Sequence, residues 1–596
     1  MRNGPGTVTC GSRRPAFVAA FCAGLAATAG SAWLEGIDEV AERAVAAPRR
    51  PSALVLTESD RQLWVANERT GTVSLIDTDR LVVVDEFAVG ERLTDLLGAP
   101  GPDRMLALDG GAHQLLVLSR SSGREPGLEV LHRVPVGPYP VRASSGDGGK
   151  RCFVTSLWSR RLDVFDVLPD APPRRTRSID LPYAPREQLL LNESRLLVAA
   201  AFGGELAVVD LERGELARGF ELPIHNIRGL ALSGGEGPEL VIAHQSLSPY
   251  ATTSRDDVFW GILLANRVLL VQMESVLSPT GEVLRHSRGL DLGDPANPAG
   301  DPDRVALTSK GELAIALAGA GRVAMGRTDW PRLDHVRVGR RPTALVASAD
   351  GGRLYVANTL SDSVSVIDVA TRRRLGDVAL GPPAPLTESD RGEALFFDAG
   401  LSLRGWMSCH SCHTDGHANG AVVDTLGDGG FGAPKRVPSL LGVGESGPWA
   451  WNGSVAELEE QVAKSVHSTL RNASTTPDEV RALASFLRTL HPPELPLEGE
   501  EDARQRGQAV FRTSGCGRCH TPPALTSARP RDVGLVDEVG NRFFNPPSLR
   551  GVRHRSSFLH DGRARRLRDV FSVHGHPRAE LSEAEIDDLV AFLSTL

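Results

Sequence analysis

Two near-identical passages constrain the fold of this chain more than any other feature. Residues 63–67 read Leu-Trp-Val-Ala-Asn, and residues 354–358 read Leu-Tyr-Val-Ala-Asn. Each is followed by a second apolar run, Thr-Val-Ser-Leu-Ile-Asp at 72–77 and Ser-Val-Ser-Val-Ile-Asp at 363–368. Short alternating apolar runs between turn residues are typical of successive antiparallel strands. The passages therefore predict a repeated all-β unit.

Weaker copies of the unit lie between these two. They include residues 152–166, 196–210 and 313–317, with degenerate copies near Met105 and Leu240. Together they make about seven units with a period of roughly 40 to 50 residues, which is typical of a propeller with four-stranded blades. We predict an all-β seven-bladed propeller over residues 49–385, with six and eight blades as alternatives.

The repeats resemble the YVTN class of bacterial propellers in their Val-Ala-Asn and Val-Ile-Asp signatures. That resemblance implies the fold and says little about function, because propellers are general scaffolds. The spacing stretches near residues 245–301, where Asp256 and Asp257 lie in the extra length. A long insertion in a compact repeat is often functional. An elaborated surface loop is the alternative.

A different kind of sequence follows the repeats. Residues 409–413 read Cys-His-Ser-Cys-His and residues 516–520 read Cys-Gly-Arg-Cys-His, so the chain holds two C-x-x-C-H motifs. This spacing is that of c-type haem attachment: two thiols bind one porphyrin, and the next histidine ligates its iron. A zinc site would pair its cysteines without an obligatory trailing histidine. A thioredoxin-like pair would follow a strand in a βαβ unit.

The motifs predict two covalently bound haem c groups. Cys409, Cys412, Cys516 and Cys519 would attach them. His413 and His520 would be the proximal iron ligands. Cys152 is the cysteine left over outside the leader, so no disulfide framework is expected, and we predict that it packs in the core.

The first residues resemble a secretory leader. Arg2, Arg13 and Arg14 precede an apolar run at 15–29 and small residues at 30–32. This order predicts a signal peptide at 1–32 and a linker at 33–48. Bacterial c-type haem is attached outside the cytoplasm, so a periplasmic location is expected. No later segment is long and apolar enough for a transmembrane anchor. A net charge of −8 without a long basic run argues against nucleic acid as a partner.

The haem region is a tandem repeat. Arg-Gly-Glu-Ala-Leu-Phe at 391–396 is matched by Arg-Gly-Gln-Ala-Val-Phe at 506–511. Each half ends in an amphipathic helix, which opens with a capping signal at Thr476 in one half and Ser582 in the other. We predict two all-α cytochrome c-type domains, at 386–498 and 499–596.

This region resembles the bacterial di-haem cytochrome c peroxidases and the related MauG-like enzymes. The resemblance rests on both haem motifs, on Trp-Asn-Gly at 451–453 and on Phe-Leu-His-Asp-Gly-Arg at 558–563. It implies two haems that face a domain interface, with Trp451 between them as an electron relay. It also allows calcium between the domains, although the position of the family's asparagine is Arg436 here.

The ligand opposite His520 can be narrowed. The chain has no methionine after Met407 and no tyrosine after Tyr355, which removes the residues that the family uses downstream. The resemblance aligns His574 with the methionine position, and His576 is the close alternative. Histidine in place of methionine should lower the potential of the second haem.

The first haem, on His413, is expected to be open on its other side. The segment at 418–437 contains no histidine, and His467 is an unaligned alternative. The resemblance puts the family's catalytic acid near Arg471. Arg471, if it points inward, would stabilise negative charge on a peroxide oxygen but could not take its proton.

The resulting prediction is an exported haem-dependent oxidoreductase with Trp451 and Arg471 as candidate catalytic residues. A small redox protein or a quinol-linked donor would supply electrons, and peroxide or a protein substrate would be the oxidant or the target. The propeller would dock a donor, a substrate protein or the haem domain itself. The alternative is a propeller-based binding and electron-transfer protein without turnover.

Overall fold

The computed structural model describes residues 47–57, 59–101, 103–121, 127–234, 237–426, 431–497, 499–577 and 580–596. The predicted signal peptide and nearly all of the predicted linker lie outside these residues. Strands dominate as far as Ala379, and helices follow from Glu388. Across these ranges, no helix is long and apolar enough to cross a membrane.

The strands of the described N-terminal region form seven four-stranded sheets, and neighbours in each sheet are consecutive in the chain. This confirms the seven-bladed propeller. Blades one to three contain β1 Pro51–Leu56, β2 Gln62–Asn67, β3 Thr72–Asp77, β4 Val82–Ala88, β5 Leu93–Gly98, β6 Arg104–Asp109, β7 Gln114–Arg120, β8 Leu128–Pro135, β9 Pro140–Gly146, β10 Arg151–Ser156, β11 Arg161–Asp166 and β12 Arg174–Asp180. Blades four and five contain β13 Pro185–Asn192, β14 Arg195–Ala200, β15 Glu205–Asp210, β16 Glu215–Glu221, β17 His225–Leu232, β18 Glu239–Leu247, β19 Leu264–Gln272 and β20 Arg288–Asp291. Blades six and seven contain β21 Pro302–Leu307, β22 Leu313–Leu317, β23 Arg322–Gly326, β24 Asp334–Arg337, β25 Pro342–Ala347, β26 Arg353–Asn358, β27 Ser363–Asp368 and β28 Arg373–Ala379.

The repeated asparagine of the strand signature has a structural reason. In blade one, the amide nitrogen of Asn67 donates to the hydroxyls of Thr72 (2.9 Å) and Ser74 (2.8 Å). In blade seven, Asn358 bonds to Ser363 and Ser365 in the same way. A buried amide needs such partners. The signature therefore records one hydrogen-bond network that ties the second strand of each of these blades to the third.

The ring closes by side-chain packing between the first and last blades. Leu63 and Val65 of blade one share a buried cluster with Tyr355 and Val364 of blade seven. Each sheet is built from consecutive strands, so no strand is exchanged at the closure. Because each blade is a contiguous segment of the chain, the repeat could be recognised from the sequence.

The helices confirm the predicted all-α character of the haem region. Blade five carries α1 Arg255–Phe259 and α2 Met273–Leu277, and the haem region contains α3 Glu388–Phe396, α4 Cys409–Cys412, α5 Leu458–Ser468, α6 Pro477–Leu487, α7 Glu501–Thr513, α8 Leu567–Ser572 and α9 Glu583–Leu593. Short strand pairs join them: β29 Val422–Val423 with β30 Lys435–Arg436, and β31 Arg531–Asp532 with β32 Phe543–Phe544. Capping boxes at Thr476 and Ser582 open α6 and α9, as predicted.

The tandem repeat is visible in how its helices cross. A Cβ added to Gly392 of α3 would lie 1.9 Å from the carbonyl oxygen of Ala482 on α6. A Cβ added to Gly507 of α7 would lie 1.9 Å from the carbonyl oxygen of Asp588 on α9. Both pairs of helices cross backbone to backbone, which explains the Arg-Gly dipeptide in each half.

We expect Gly507→Ala to destabilise the second cytochrome domain. Its methyl group would force α7 away from α9, at a cost of about 1–3 kcal/mol for overpacking. The thermal unfolding midpoint of the holoprotein should fall, whereas Gln508→Ala, at an exposed position of the same helix, should leave it unchanged. Equal midpoints for the two variants would contradict this crossing.

Candidate di-haem active site

The first C-x-x-C-H segment lies against the propeller face. The hydroxyls of Ser408 and Ser411 donate to the two carboxylate oxygens of Asp301, at 2.6 and 2.5 Å. The amide of Gln245 also donates to this carboxylate, at 3.2 Å. Burial raises the pKa of Asp301, and the three donors oppose that effect. The propeller thus holds the residue before Cys409 and the residue before Cys412.

The backbone of this segment is also hydrogen-bonded to the propeller. The carbonyl oxygen of Ser411 accepts from the side-chain amide of Asn226 (3.1 Å) and lies 3.2 Å from Nε2 of His225. The carbonyl oxygen of Trp406 accepts from the amide of Asn266, at 2.9 Å. These carbonyls are buried and would otherwise lack partners. Blade five therefore completes the hydrogen bonding of the motif.

A set of arginines, several of them paired with Glu68, Asp95 or Glu187, recurs at the first strands of the blades. Blades two to seven each place an arginine at or near the start of the first strand: Arg92, Arg142, Arg186, Arg228, Arg304 and Arg341. Asp415, two residues after His413, bonds to Arg228 at 2.8 Å and to Arg186 at 3.2 Å. Burial alone would raise the pKa of Asp415, but Arg186 and Arg228 hold it well below its usual value.

The blade-five insertion packs into the first cytochrome domain. Val258 of α1 is buried in one cluster with Leu458 and Val462 of α5. Thr253 donates from its backbone to the carbonyl of Asp424 (3.1 Å) and from its hydroxyl to that of Thr425 (2.8 Å). The insertion is therefore a part of the domain interface.

The first cavity, of about 340 Å³, is lined by Cys409, Cys412 and His413. Nδ1 of His413 lies 3.0 Å from the carbonyl oxygen of Pro438. This contact assigns the proton to Nδ1 and leaves Nε2 free to bind a metal. Burial lowers the pKa of His413 to about 4, so the imidazole is neutral at pH 7, as ligation requires.

The second cavity, of about 200 Å³, repeats this arrangement. Cys516, Cys519 and His520 line it. Nδ1 of His520 lies 3.2 Å from the carbonyl oxygen of Leu525, and burial lowers the pKa of His520 to about 4. Both halves of the tandem repeat therefore orient their motif histidine through a backbone carbonyl.

The two cavities share one wall. Residues that line both are Arg436, Trp451, Asn545, Pro546, Pro547 and Arg555. The guanidinium of Arg436 lies 5.7 Å from the centroid of the Trp451 ring. The backbone N–H of Asn545 donates to the carbonyl of Trp451, at 2.7 Å. Trp451 thus stands where the two cytochrome domains meet.

The charge in this wall fits two haem groups. Arg436 and Arg555 form no ion pair with any residue that the structure describes. Burial lowers the pKa of Arg436 to about 10 and that of Arg555 to about 9. Buried cations without a counter-charge are costly, and the carboxylates of a haem would compensate them. The thiols, the oriented histidines and these arginines together fit a haem in each cavity.

Of the two histidines predicted opposite His520, the structure places only His576 in the lining of the second cavity. The buried Nδ1 of His576 lacks a hydrogen-bond partner among the residues that the structure describes. After burial, the neighbouring charge of His576 also lowers the pKa of His520. His574 is not among the lining residues. His560, which sequence reasoning placed in a motif but not as a ligand, lines the same cavity, and both its ring nitrogens also lack a hydrogen-bond partner among the described residues. Its ring stacks on Phe544 with ring centroids 4.5 Å apart.

The residues predicted as acid–base groups of the first cavity do not line it. Arg471 does not line it: its Nε donates to the carbonyl of Thr253 on the propeller. His467 and Asp257 lie outside as well, and Asp257 instead accepts from the backbone of Thr252 at 3.0 Å.

The lining instead includes Gln461 and Asp424, neither of which sequence reasoning identified. Oε1 of Gln461 is buried and has no hydrogen-bond partner in the described part of the chain. The helical periodicity of α5 could have indicated Gln461. Leu458, Val462 and Val466 form the buried face of this helix, and Gln461 lies next to that face.

Comparisons with known proteins agree with this geometry. The family model for di-haem cytochrome c peroxidase matches residues 388–494, and that for cytochrome c matches residues 504–596. The methylamine utilization protein MauG of Methylorubrum extorquens is 30% identical, over 34% of this chain and 76% of that protein. The chain belongs to the di-haem cytochrome c peroxidase and MauG family. It is therefore a haem-dependent oxidoreductase.

Two further proteins are similar over different shares of the chain. The cytochrome c551 peroxidase of Nitrosomonas europaea is 27% identical, over 35% of this chain and 79% of that protein. Among solved structures, the hydrazine synthase of Kuenenia stuttgartiensis covers 54% of this chain and 96% of its own, with 19% identity and a TM-score of 0.47.

We expect Asp415→Asn to loosen the docking of the haem segment on the propeller. The change would leave Arg186 and Arg228 without their carboxylate, and breaking a buried ion pair costs about 3–5 kcal/mol. The thermal midpoint of the holoprotein should fall, and protease cleavage near residues 380–388 should accelerate.

Asp294→Asn is the matched control, because Asp294 pairs with Arg332 near the surface, where an ion pair contributes only about 0–1 kcal/mol. An Asp415→Asn protein as stable and as protease-resistant as this control would contradict the docking role.

Proposed function

We propose that this family member is an exported two-haem oxidoreductase. The second site would accept electrons, Trp451 would relay them, and the first site would react with a small oxidant such as peroxide. The observation that carries this proposal is that Trp451 lines both cavities. A small redox protein or a quinol-linked donor would supply the electrons.

Each haem, when bound, supplies a one-electron redox couple, and an open iron also supplies a site for a small ligand. The residues of the chain would attach each haem and orient the histidine that binds its iron. Cys409, Cys412, Cys516 and Cys519 would attach the two groups covalently. Pro438 orients His413, and the carbonyl of Leu525 orients His520.

We propose that His576, in place of His574, would hold the iron of the second site together with His520. Its place in the cavity, and its position close enough to His520 for its charge to act on that residue, support this assignment. Two histidines would give this site a lower potential than histidine with methionine. The second haem would then be a reductant for the first.

We expect His576→Ala to convert the low-spin EPR signal of the second haem to high spin. His574→Ala should leave that signal intact, because His574 does not line the cavity. Loss of the low-spin signal in His574→Ala, with His576→Ala unchanged, would restore His574 as the ligand. Loss in His560→Ala alone would assign that residue instead.

The first site is proposed to be open but slow towards peroxide. His413 is the one histidine among the described residues of its lining. A positioned acid–base group contributes roughly 10² to 10⁴ in rate, and Arg471 and His467 lie outside the cavity. Gln461 can orient a bound oxidant by a hydrogen bond but cannot take its proton. Asp424 is the lining carboxylate, although backbone N–H groups of Leu426 and Gly432 already bond to it.

The propeller is proposed to position the first haem segment. Asp301, Asn226 and Asn266 bind residues on both sides of Cys409, which supports this role. A second function is electron transfer without peroxide turnover. It is favoured because Asp424 is the one carboxylate among the described residues that line the first cavity. Calcium between the domains stays a prediction, since the described residues contain no cluster of three or more acidic, histidine or cysteine side chains.

Export rests on the predicted leader. Arg13 and Arg14 precede its apolar run, and covalent haem attachment requires export in bacteria. Protein recovered from a periplasmic fraction should begin near residue 33, which N-terminal sequencing can establish.

Trp451→Phe tests the central step. We expect slower electron transfer between the haems by stopped-flow spectroscopy, together with slower peroxide-dependent oxidation of a small reduced donor. Trp449→Phe is the matched control, because Trp449 lines the first cavity alone and donates to the carbonyl of Val443 at 3.2 Å. Equal rates in both variants would remove Trp451 from the path. Fast electron transfer without any peroxide turnover in the unmodified protein would favour the second function.

A further inference from the structure

A groove of about 340 Å³ lies between blades six and seven and the first cytochrome domain. It is separate from both haem cavities and has four arginines in its lining: Arg322, Arg337, Arg340 and Arg341. Asp398, just after α3, is the one carboxylate among its described lining residues. Arg340 lies 3.9 Å from Asp398, and Arg341 lies 3.9 Å from Glu393 of α3. The net positive charge of the groove therefore comes from Arg322 and Arg337.

Two of the arginines face each other directly. Arg322 begins β23 and Arg337 ends β24, and the two are opposite partners in the antiparallel ladder. Like charges at such a position repel each other and destabilise the sheet. Neither guanidinium forms an ion pair with any part of the chain that the structure describes. After burial, the charge of Arg337 also lowers the pKa of Arg322.

Two of the other blades carry an ion pair at this position, whereas blade four places Glu205 opposite Glu221. In blade three, Arg161 faces Asp180, with an ion pair of 3.3 Å. In blade five, Arg267 faces Asp291, with an ion pair of 2.5 Å. Blade six keeps the first arginine and replaces the aspartate with Arg337. Both arginines are reached by solvent, so an anion from solution can supply the negative charge that is absent here.

The remaining donors of the groove are partly used. Arg341 lies with its guanidinium 3.4 Å from the ring centroid of Phe397, and Arg340 donates to the carbonyl of Ala394 at 3.3 Å. The backbone N–H groups of Gly339 and Arg340 donate to Asn358 and Ser361. The guanidiniums of Arg322 and Arg337 are therefore the free donors.

We propose that this groove binds a small dianionic oxyanion, of the phosphate or dicarboxylate class, between Arg322 and Arg337. Each guanidinium presents a planar fork that matches the oxygens of such an anion. Bound there, the anion replaces the carboxylate that blades three and five carry, and stabilises the junction of blade six with the cytochrome domain. The groove is independent of the haem chemistry.

The test is calorimetric titration of the holoprotein with inorganic phosphate and, separately, with succinate, at fixed ionic strength. We expect saturable binding of at least one of the two, and the one bound identifies the class. Arg322→Gln should weaken that binding about tenfold or more, as expected for loss of a charge-assisted hydrogen-bond donor. Arg267→Gln, the ion-paired equivalent in blade five, should bind as the unmodified protein does.

Arg337→Asp separates binding from folding. It recreates the Arg–Asp pair of blade five, so the protein should unfold at a higher temperature in anion-free buffer and should no longer bind the anion. Undiminished binding by Arg337→Asp would overturn the proposal. So would the absence of binding of both anions to the unmodified protein.

Discussion

The contact between Asp415 and the arginines at the centre of the propeller is the interaction on which the rest of the structure depends. The arginines lie at or near the starts of the first strands, and several pair within the propeller: Arg142 and Arg304 with Glu187, and Arg92 with Glu68. Arg186 and Arg228 also pair with a carboxylate of the haem region. Asp415 supplies it from the turn that follows the first haem motif. Because His413 is only two residues away, the same contact fixes the proximal side of the first haem site relative to the propeller.

Asp301 extends this constraint along the motif. It accepts two serine hydroxyls that flank Cys409, and it lies on the propeller between blades five and six. A buried carboxylate with three donors is fully satisfied only when the two domains are docked. The propeller is therefore a part of the support of the haem site, and its central face is covered by the haem segment. A redox partner must approach the molecule elsewhere.

Local patterns predicted the elements and the motifs well. The propeller followed from contiguous repeats, and the capping boxes at Thr476 and Ser582 followed from sequence spacing. The docking could not be predicted, since Asp301 and Ser408 are far apart in the chain and neither belongs to a motif. Arg471 shows the same limit: its alignment suggested the first cavity, but its side chain binds Thr253 of the insertion. His574 and His576 lie beyond the end of α8, where helical periodicity no longer orders side chains.

The measurement that tests the account most directly is the number of haems per chain. The two oriented histidines predict a haem on each side of Trp451. So do Arg436 and Arg555, whose guanidiniums bond to backbone carbonyls and form no ion pair among the described residues. Pyridine haemochrome analysis with intact-protein mass spectrometry, on protein matured with a c-type haem system, should give two covalent haems per chain. One haem, or none, would contradict the account.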